Sequence, residues 1–125
     1  MKKILVVEDE LAYLKLLNSQ LTQNGYQVIE AINGEKGLEA AKKENPDLIL
    51  LDIKMPVMDG MAMLSLLRKE EAGKKAKVII LTNLDPDDKI LEEVIADQPA
   101  YYFVKSDIPF NDLLDKIKEL LEPAS

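Results

Sequence analysis

Two residue types that carry much of protein chemistry are missing from this 125-residue chain, which has no cysteine and no histidine. Without cysteine there are no disulfides, thiol nucleophiles or zinc-thiolate sites, a usage that suits a reducing compartment. Without histidine the chain lacks the usual general base, the usual transition-metal ligand and any phosphohistidine of its own. Long apolar runs are absent too. Nothing approaches the roughly 20 residues of a membrane helix, and the apolar part of "MKKILVVEDE" is too short for a signal peptide. A cytoplasmic protein with no membrane contact is expected. Basic residues are in the minority, and the net charge of −7 disfavours direct contact with nucleic acid or an anionic membrane, both of which would repel it. What remains for chemistry is carboxylates, lysines and hydroxyls. The length fits one domain, residues 1–125, with enough chain for a real core.

Five short apolar runs read as strands: "KILVV" (3–7), "QVIEA" (27–31), "LILL" (48–51), "KVIIL" (77–81) and "YYFV" (101–104). Helical spacing fills the intervals. Leu11, Leu14, Leu17 and Leu21 share one side of the first helix. Leu38 and Ala41 mark the second, after a cap at Asn33. Met61, Leu64 and Leu67 mark the third, and Ile90, Leu91, Val94 and Ile95 the fourth, after Asp85-Pro86 as cap and first turn. Phe110, Leu113, Leu114, Ile117, Leu120 and Leu121 make the last the clearest. Asn24-Gly25 reads as a helix stop. Met55, Met58, Met61 and Met63 read as core filler. Strand and helix alternate five times, the pattern of a parallel sheet with helices on both faces. The unbroken apolar runs place 48–51 and 78–81 centrally, while Gln27 and Glu30 place 27–31 at an edge.

In such a sheet, ligands bind beyond the carboxyl ends of the strands. The residues there are Glu8-Asp9, Asp52, Thr82 and Lys105. Three carboxylates on one rim repel one another unless a cation intervenes, and carboxylate oxygens without imidazole or thiolate suit Mg²⁺. A spare ammonium and a spare hydroxyl are what a transferring phosphoryl group needs around its oxygens. Each residue alone is an ordinary cap, turn former or solvated charge; their convergence carries the signal. No Gly-rich loop follows the first strand, which disfavours a nucleotide fold. The acids would repel a flavin phosphate, and the missing His and Cys exclude a hydrolytic triad.

The segments "ILVVEDE", "LLDIKMPVMDG", "VIILTN" and "YYFVKS", in this order and over essentially the whole chain, resemble the receiver domains of bacterial two-component response regulators. The resemblance implies a flavodoxin-like (βα)5 fold with strand order 2-1-3-4-5. It implies that Asp52 accepts a phosphoryl group from a sensor histidine kinase or a histidine phosphotransfer protein. Asp9, Asp52 and the Lys54 carbonyl would hold Mg²⁺ directly, and Glu8 through a water. Lys105 would pair with one phosphoryl oxygen and Thr82 with another, and Tyr102 would swing inward as Thr82 moves. Output would pass to an unidentified downstream protein through the surface of the fourth helix, fifth strand and fifth helix, where Lys89, Glu92, Glu93, Tyr101 and Lys116 are the candidates. No second domain follows residue 125 in this reading, and both a monomer and a phosphorylation-dependent homodimer are open.

Some residues depart from the family pattern. Glu8 stands where Asp is frequent, Asn83 where a small residue is common, and Ser106 where a cis proline is common, so Ser106 or Asp107 is expected to cap the last helix. Beyond Mg²⁺-dependent self-phosphorylation and autodephosphorylation, no enzyme activity is expected. A Mg²⁺-dependent phosphohydrolase with an aspartyl-phosphate intermediate is one rival, but it usually carries an Asp two residues after its nucleophile, where this chain has Lys54. A degenerate receiver that only binds partners is the other, and the full set of acids, Thr82 and Lys105 argues against it.

Overall fold

The computed structural model describes residues 1–71, 73–84 and 87–122, apart from the side chains at 88, 90, 91 and 95. Ten elements alternate along them: β1 (Lys3–Val7), α1 (Leu11–Gln23), β2 (Gln27–Ala31), α2 (Gly34–Glu44), β3 (Leu48–Leu51), α3 (Gly60–Lys69), β4 (Val78–Thr82), α4 (Asp88–Ala96), β5 (Tyr101–Val104) and α5 (Phe110–Leu121). The five strands form one sheet in the order β2-β1-β3-β4-β5. All four neighbouring pairs are parallel.

The apolar runs account for the middle of that order and for one of its edges. Every residue of β3 and β4 is buried, as central strands covered on both faces must be. Strand β2 has an exposed Gln27 and only one buried residue, as expected of an edge. Alternation of side chains sorts the core into two layers. Ile4, Val6, Leu48, Leu50, Ile79 and Leu81 face α1 and α5, packing on Leu14, Leu17, Leu21, Leu113, Ile117 and Leu121. Leu5, Val7, Ile49, Leu51, Val78 and Ile80 face the other way and pack on Ala41, Met63, Leu64 and Leu67 from α2 and α3. Met63 is fully buried, and Met55, Met58 and Met61 pack half-buried against that second layer, in keeping with their role as filler.

The ends of the helices agree with the sequence in part. The Asn33 side chain caps α2 by accepting from the Lys36 N–H at 2.8 Å. Asn24 closes α1, and Gly25 follows at φ +90, a conformation glycine adopts without strain. Asp59 caps α3 by accepting from the Ala62 N–H at 2.8 Å. Three expectations are corrected. Leu11 is 61% exposed, because at the first position of α1 it lies beyond the edge of the sheet the helix covers. Neither Ser106 nor Asp107 caps α5; Pro109 occupies that position with no side-chain cap. Strand β4 runs one residue later than "KVIIL", taking in Thr82. The expected cap at Asp85-Pro86 lies outside the described residues.

At the base of the sheet, Arg68 near the end of α3 gathers several main-chain oxygens. Its Nε donates to Asp97 O at 2.9 Å, Nη1 to Gly73 O at 2.9 Å and Ala76 O at 2.7 Å, and Nη2 to Gln98 O at 3.0 Å. One guanidinium thus ties the end of α3 to the α3–β4 loop and to the corner between α4 and β5.

Candidate functional site

The ladder itself assembles the site. Val7 lies opposite Leu51, and the Asp52 N–H donates to Val7 O at 3.1 Å, so Glu8 and Asp52 emerge side by side. Thr82 lies opposite Val104, and the Lys105 N–H donates to Thr82 O at 2.8 Å. Strand parity then decides which way each side chain points. Glu8, Asp52 and Lys105 continue the alternation of Val6, Leu50 and Phe103 and fall on the α1–α5 side. Thr82 continues that of Ile80 and falls on the other side, the side of Tyr102.

Lys105 sits between the two acids on its side. Its Nζ is 2.6 Å from Glu8 Oε2 and 3.1 Å from Asp52 Oδ2. The three side chains are only 7%, 3% and 9% exposed, respectively. The remaining carboxylate oxygens are also held: Glu8 Oε1 accepts from the Glu10 N–H at 3.0 Å, and Asp52 Oδ1 from the Ile53 N–H at 2.7 Å. Burial raises the Glu8 carboxyl above its ordinary value, against the hydrogen bond from Lys105. Burial pulls on the Lys105 ammonium in the opposite direction, but its hydrogen bond to Glu8 and the charge of Asp52 prevail and hold it above the usual lysine value.

Asp9 completes the acid set from an exposed position in the loop after β1. Glu8, Asp9 and Asp52 each offer an oxygen within 4.8 Å of the others. An oxygen-only donor set with exposed access on one side fits a hard divalent cation that keeps part of its water shell. Asp9 and Asp52 open into a cleft of about 520 Å³ lined also by Lys54, Thr82, Asn83 and Lys105, with Glu8 buried beside it. Asn83 and Lys54 are exposed there. Gly60, the first residue of α3, packs against the back of the acid: a Cβ there would run into the Asp52 main-chain carbonyl, so only glycine fits.

Thr82 is buried, and its Oγ1 accepts from the Leu84 N–H at 3.3 Å. The Leu84 carbonyl in turn accepts from the Tyr102 hydroxyl at 2.6 Å. Thr82 and Tyr102 are therefore joined through one residue of the β4–α4 loop.

The chain matches the family model described as response regulator receiver domain over residues 4–118. It belongs to that family. Among the relatives of this receiver is the sporulation initiation phosphotransferase F of Bacillus subtilis (strain 168), 35% identical over 120 residues that cover 96% of this chain and 94% of that protein. The alkaline phosphatase synthesis transcriptional regulatory protein PhoP of the same organism is 42% identical over 91 residues, 72% of this chain but only 37% of that regulator. The receiver spans about half or less of several transcriptional regulators that it matches. Among solved structures, the response regulator TrrA from Thermotoga maritima in complex with Mg²⁺-BeF superposes with a TM-score of 0.83 at 36% identity, covering 97% of this chain and 100% of that one.

Of the residues expected at the site from the sequence, Asp9, Asp52, Lys54, Thr82 and Lys105 line this cleft, Glu8 is buried beside it against Lys105, and Tyr102 lies within β5 and is joined to it through the Leu84 carbonyl. Two features were not anticipated. Tyr13 of α1 lays its ring under Lys105, with Nζ 4.6 Å from the ring centroid. Val57, in the loop after Asp52, is 76% exposed and holds φ +70, a left-handed conformation that a β-branched residue rarely adopts. On the surface expected to carry output, Lys89, Glu92 and Glu93 are exposed. Tyr101 and Lys116 are half-buried against each other instead, with Lys116 Nζ 5.3 Å from the Tyr101 ring centroid and the Tyr101 hydroxyl bonded to Glu119 at 3.0 Å.

Proposed function

We propose that Asp52 is the phosphoacceptor of this receiver, and that the donor is a phosphohistidine on a sensor histidine kinase or a histidine phosphotransfer protein. The observation that carries this reading is the meeting of Glu8, Asp9 and Asp52 with Lys105 at the edge of an open cleft that Asp9, Asp52 and Lys105 line. The Asp52 Oδ attacks phosphorus, a P–O bond forms and the P–N bond to the donor imidazole breaks. Asp9, Asp52 and the Lys54 carbonyl are the groups that would hold Mg²⁺, with Glu8 behind a water. Bound there, the ion would supply neutralisation of the acids and of the phosphoryl oxygens. Lys105 is already at the nucleophile and needs only to follow it to one phosphoryl oxygen.

Thr82 serves the product. To donate its hydroxyl to a phosphoryl oxygen it turns away from the Leu84 N–H, which loosens Leu84 and so the Tyr102 hydroxyl bonded to its carbonyl. The phosphoryl group adds about −1.5 to −2 charges and three acceptors, enough to bias such a local two-state arrangement. We place the output on the α4–β5–α5 surface, read by a downstream protein, in a monomer or a phosphorylation-dependent homodimer. Turnover is confined to gain and loss of the group on Asp52. The phosphohydrolase alternative finds no second acid at position 54, where Lys54 projects into the cleft. Among the described residues no helix is long and apolar enough to cross a membrane.

Incubation with acetyl phosphate and Mg²⁺, followed by intact-mass measurement, tests the assignment. The wild-type chain is expected to gain one phosphoryl group and Asp52→Asn none. Equal labelling of the two chains rejects Asp52 as the acceptor.

A further inference from the structure

We propose that Tyr13 is a positioning residue for Lys105, holding its ammonium in the site when metal and phosphoryl group claim the carboxylates it otherwise pairs with. The inference rests on the phosphoacceptor reading and extends it to a residue of α1.

Among the described residues Lys105 has three neighbours for its charge. Two are the acids, Glu8 at 2.6 Å and Asp52 at 3.1 Å. The third is the face of Tyr13, at 4.6 Å. The two acids belong to the set that offers oxygens to a cation, so the lysine and a divalent ion compete for them. A lysine anchored by carboxylates alone would be repelled from the site when that ion enters. The ring differs in kind. It is neutral, and it draws a cation through its quadrupole rather than through an ionised oxygen. Burial keeps the Tyr13 phenol above its ordinary value, so it stays un-ionised at neutral pH. Tyr13 also packs against the core layer between the sheet and α1, so its face is fixed before Lys105 meets it. Cation–π attraction is strongest where the cation is desolvated, and this ammonium's side chain is 7% exposed.

The test replaces Tyr13 with Phe, 3,5-difluorophenylalanine and pentafluorophenylalanine, which keep the ring's shape while withdrawing electrons from its face. Labelling by acetyl phosphate with Mg²⁺ is expected to be near the wild-type rate with Phe, which retains the ring, and to fall stepwise to about one-tenth with the pentafluoro ring. In the wild-type chain the Lys105 Cε protons are expected upfield of an ordinary lysine by ring-current shielding. They should stay there with Mg²⁺ and beryllofluoride, their occupancy checked by calorimetry. A labelling rate flat across the series would overturn the proposal, as would Lys105 protons at the ordinary lysine position in either state. Failure of the wild-type chain to label refutes the phosphoacceptor reading instead, while the proton positions still judge Tyr13.

Discussion

Replacing Lys105 by methionine, which keeps most of the side chain's volume but not its charge, leaves Glu8 and Asp52 buried with no cation between them. Removing one partner of a buried pair typically costs about 3–5 kcal/mol. Here the cost has a ceiling, because a proton can replace the lysine. Glu8 is already raised by burial from an ordinary value of 4.5, so it is the group that takes the proton. Protonating such a carboxyl at pH 7 costs about 3 kcal/mol, at 1.36 kcal/mol per pH unit. The variant should therefore lose about 3 kcal/mol at pH 7 in the presence of a chelator, and the deficit should shrink by about 1.4 kcal/mol for each unit of acidification toward pH 5. The sign follows from the proton count: the folded variant binds a proton that the unfolded chain has released, so lower pH favours the folded form. Urea denaturation at pH 7 and pH 5 measures this as a shift in midpoint at constant slope. Mg²⁺ should also stabilise the variant more than the wild type, since both acids are freed for the ion. A deficit under about 0.5 kcal/mol at pH 7, within the range of ordinary surface substitutions, would refute the reasoning, and so would a deficit that grows with acid.

Two further outcomes follow from particular residues. Val57 holds φ +70 with its side chain in solvent. A left-handed conformation costs an L-residue about 1–2 kcal/mol and glycine's extra chain entropy returns about 0.5–1, so Val57→Gly should raise stability by about 0.5–1 kcal/mol in urea titrations. Tyr26 is buried and donates its hydroxyl to Glu122 at 3.0 Å; burial first, and that acceptor second, push it from 10.0 up to about 12. The unfolded phenol ionises first, so its contribution is complete below pH 10 and lost as pH climbs to about 12; Tyr26→Phe should flatten that alkaline fall in thermal midpoint, and an unchanged fall would count against the assignment.

Strand positions were legible in the sequence because four of the strands are nearly unbroken apolar runs and the fifth, β2, keeps β-branched residues between Gln27 and Glu30; the full strand order followed from the family resemblance, and the parallel sheet from the alternation of strands with helices. The site was legible for the same reason. Parallel strands deliver the residue after each run to one rim, so Glu8, Asp52 and Lys105 could be gathered without any contact being known. The ends of helices were harder. Leu11 keeps the helical spacing of Leu14 and Leu21, but periodicity does not say where the sheet stops covering the helix. Ser106 and Asp107 have the chemistry of caps, yet the chain is still leaving β5 there, and it enters α5 only at Pro109. Tyr13 was missed because one aromatic in an apolar helix reads as core. The available signal was parity: Lys105 shares the face of Phe103, and that face is the one α1 covers. Val57 offered none, since a lone exposed valine says nothing of its backbone angle.

The guanidinium of Arg68 has a consequence for how this molecule tolerates change. Among the described residues its hydrogen bonds end on the carbonyls of Gly73, Lys74, Ala76, Asp97 and Gln98, never on their side chains. Those oxygens are present whatever side chain stands there, so Arg68 asks only for a backbone course and leaves the side chains of the two loops latitude, Gly73 excepted, where a Cβ would run into the Leu67 carbonyl. Arg68 has no such latitude, because lysine offers a point charge where a planar fork is required. One side chain thereby moors two loops at the end of the sheet opposite the acid cleft.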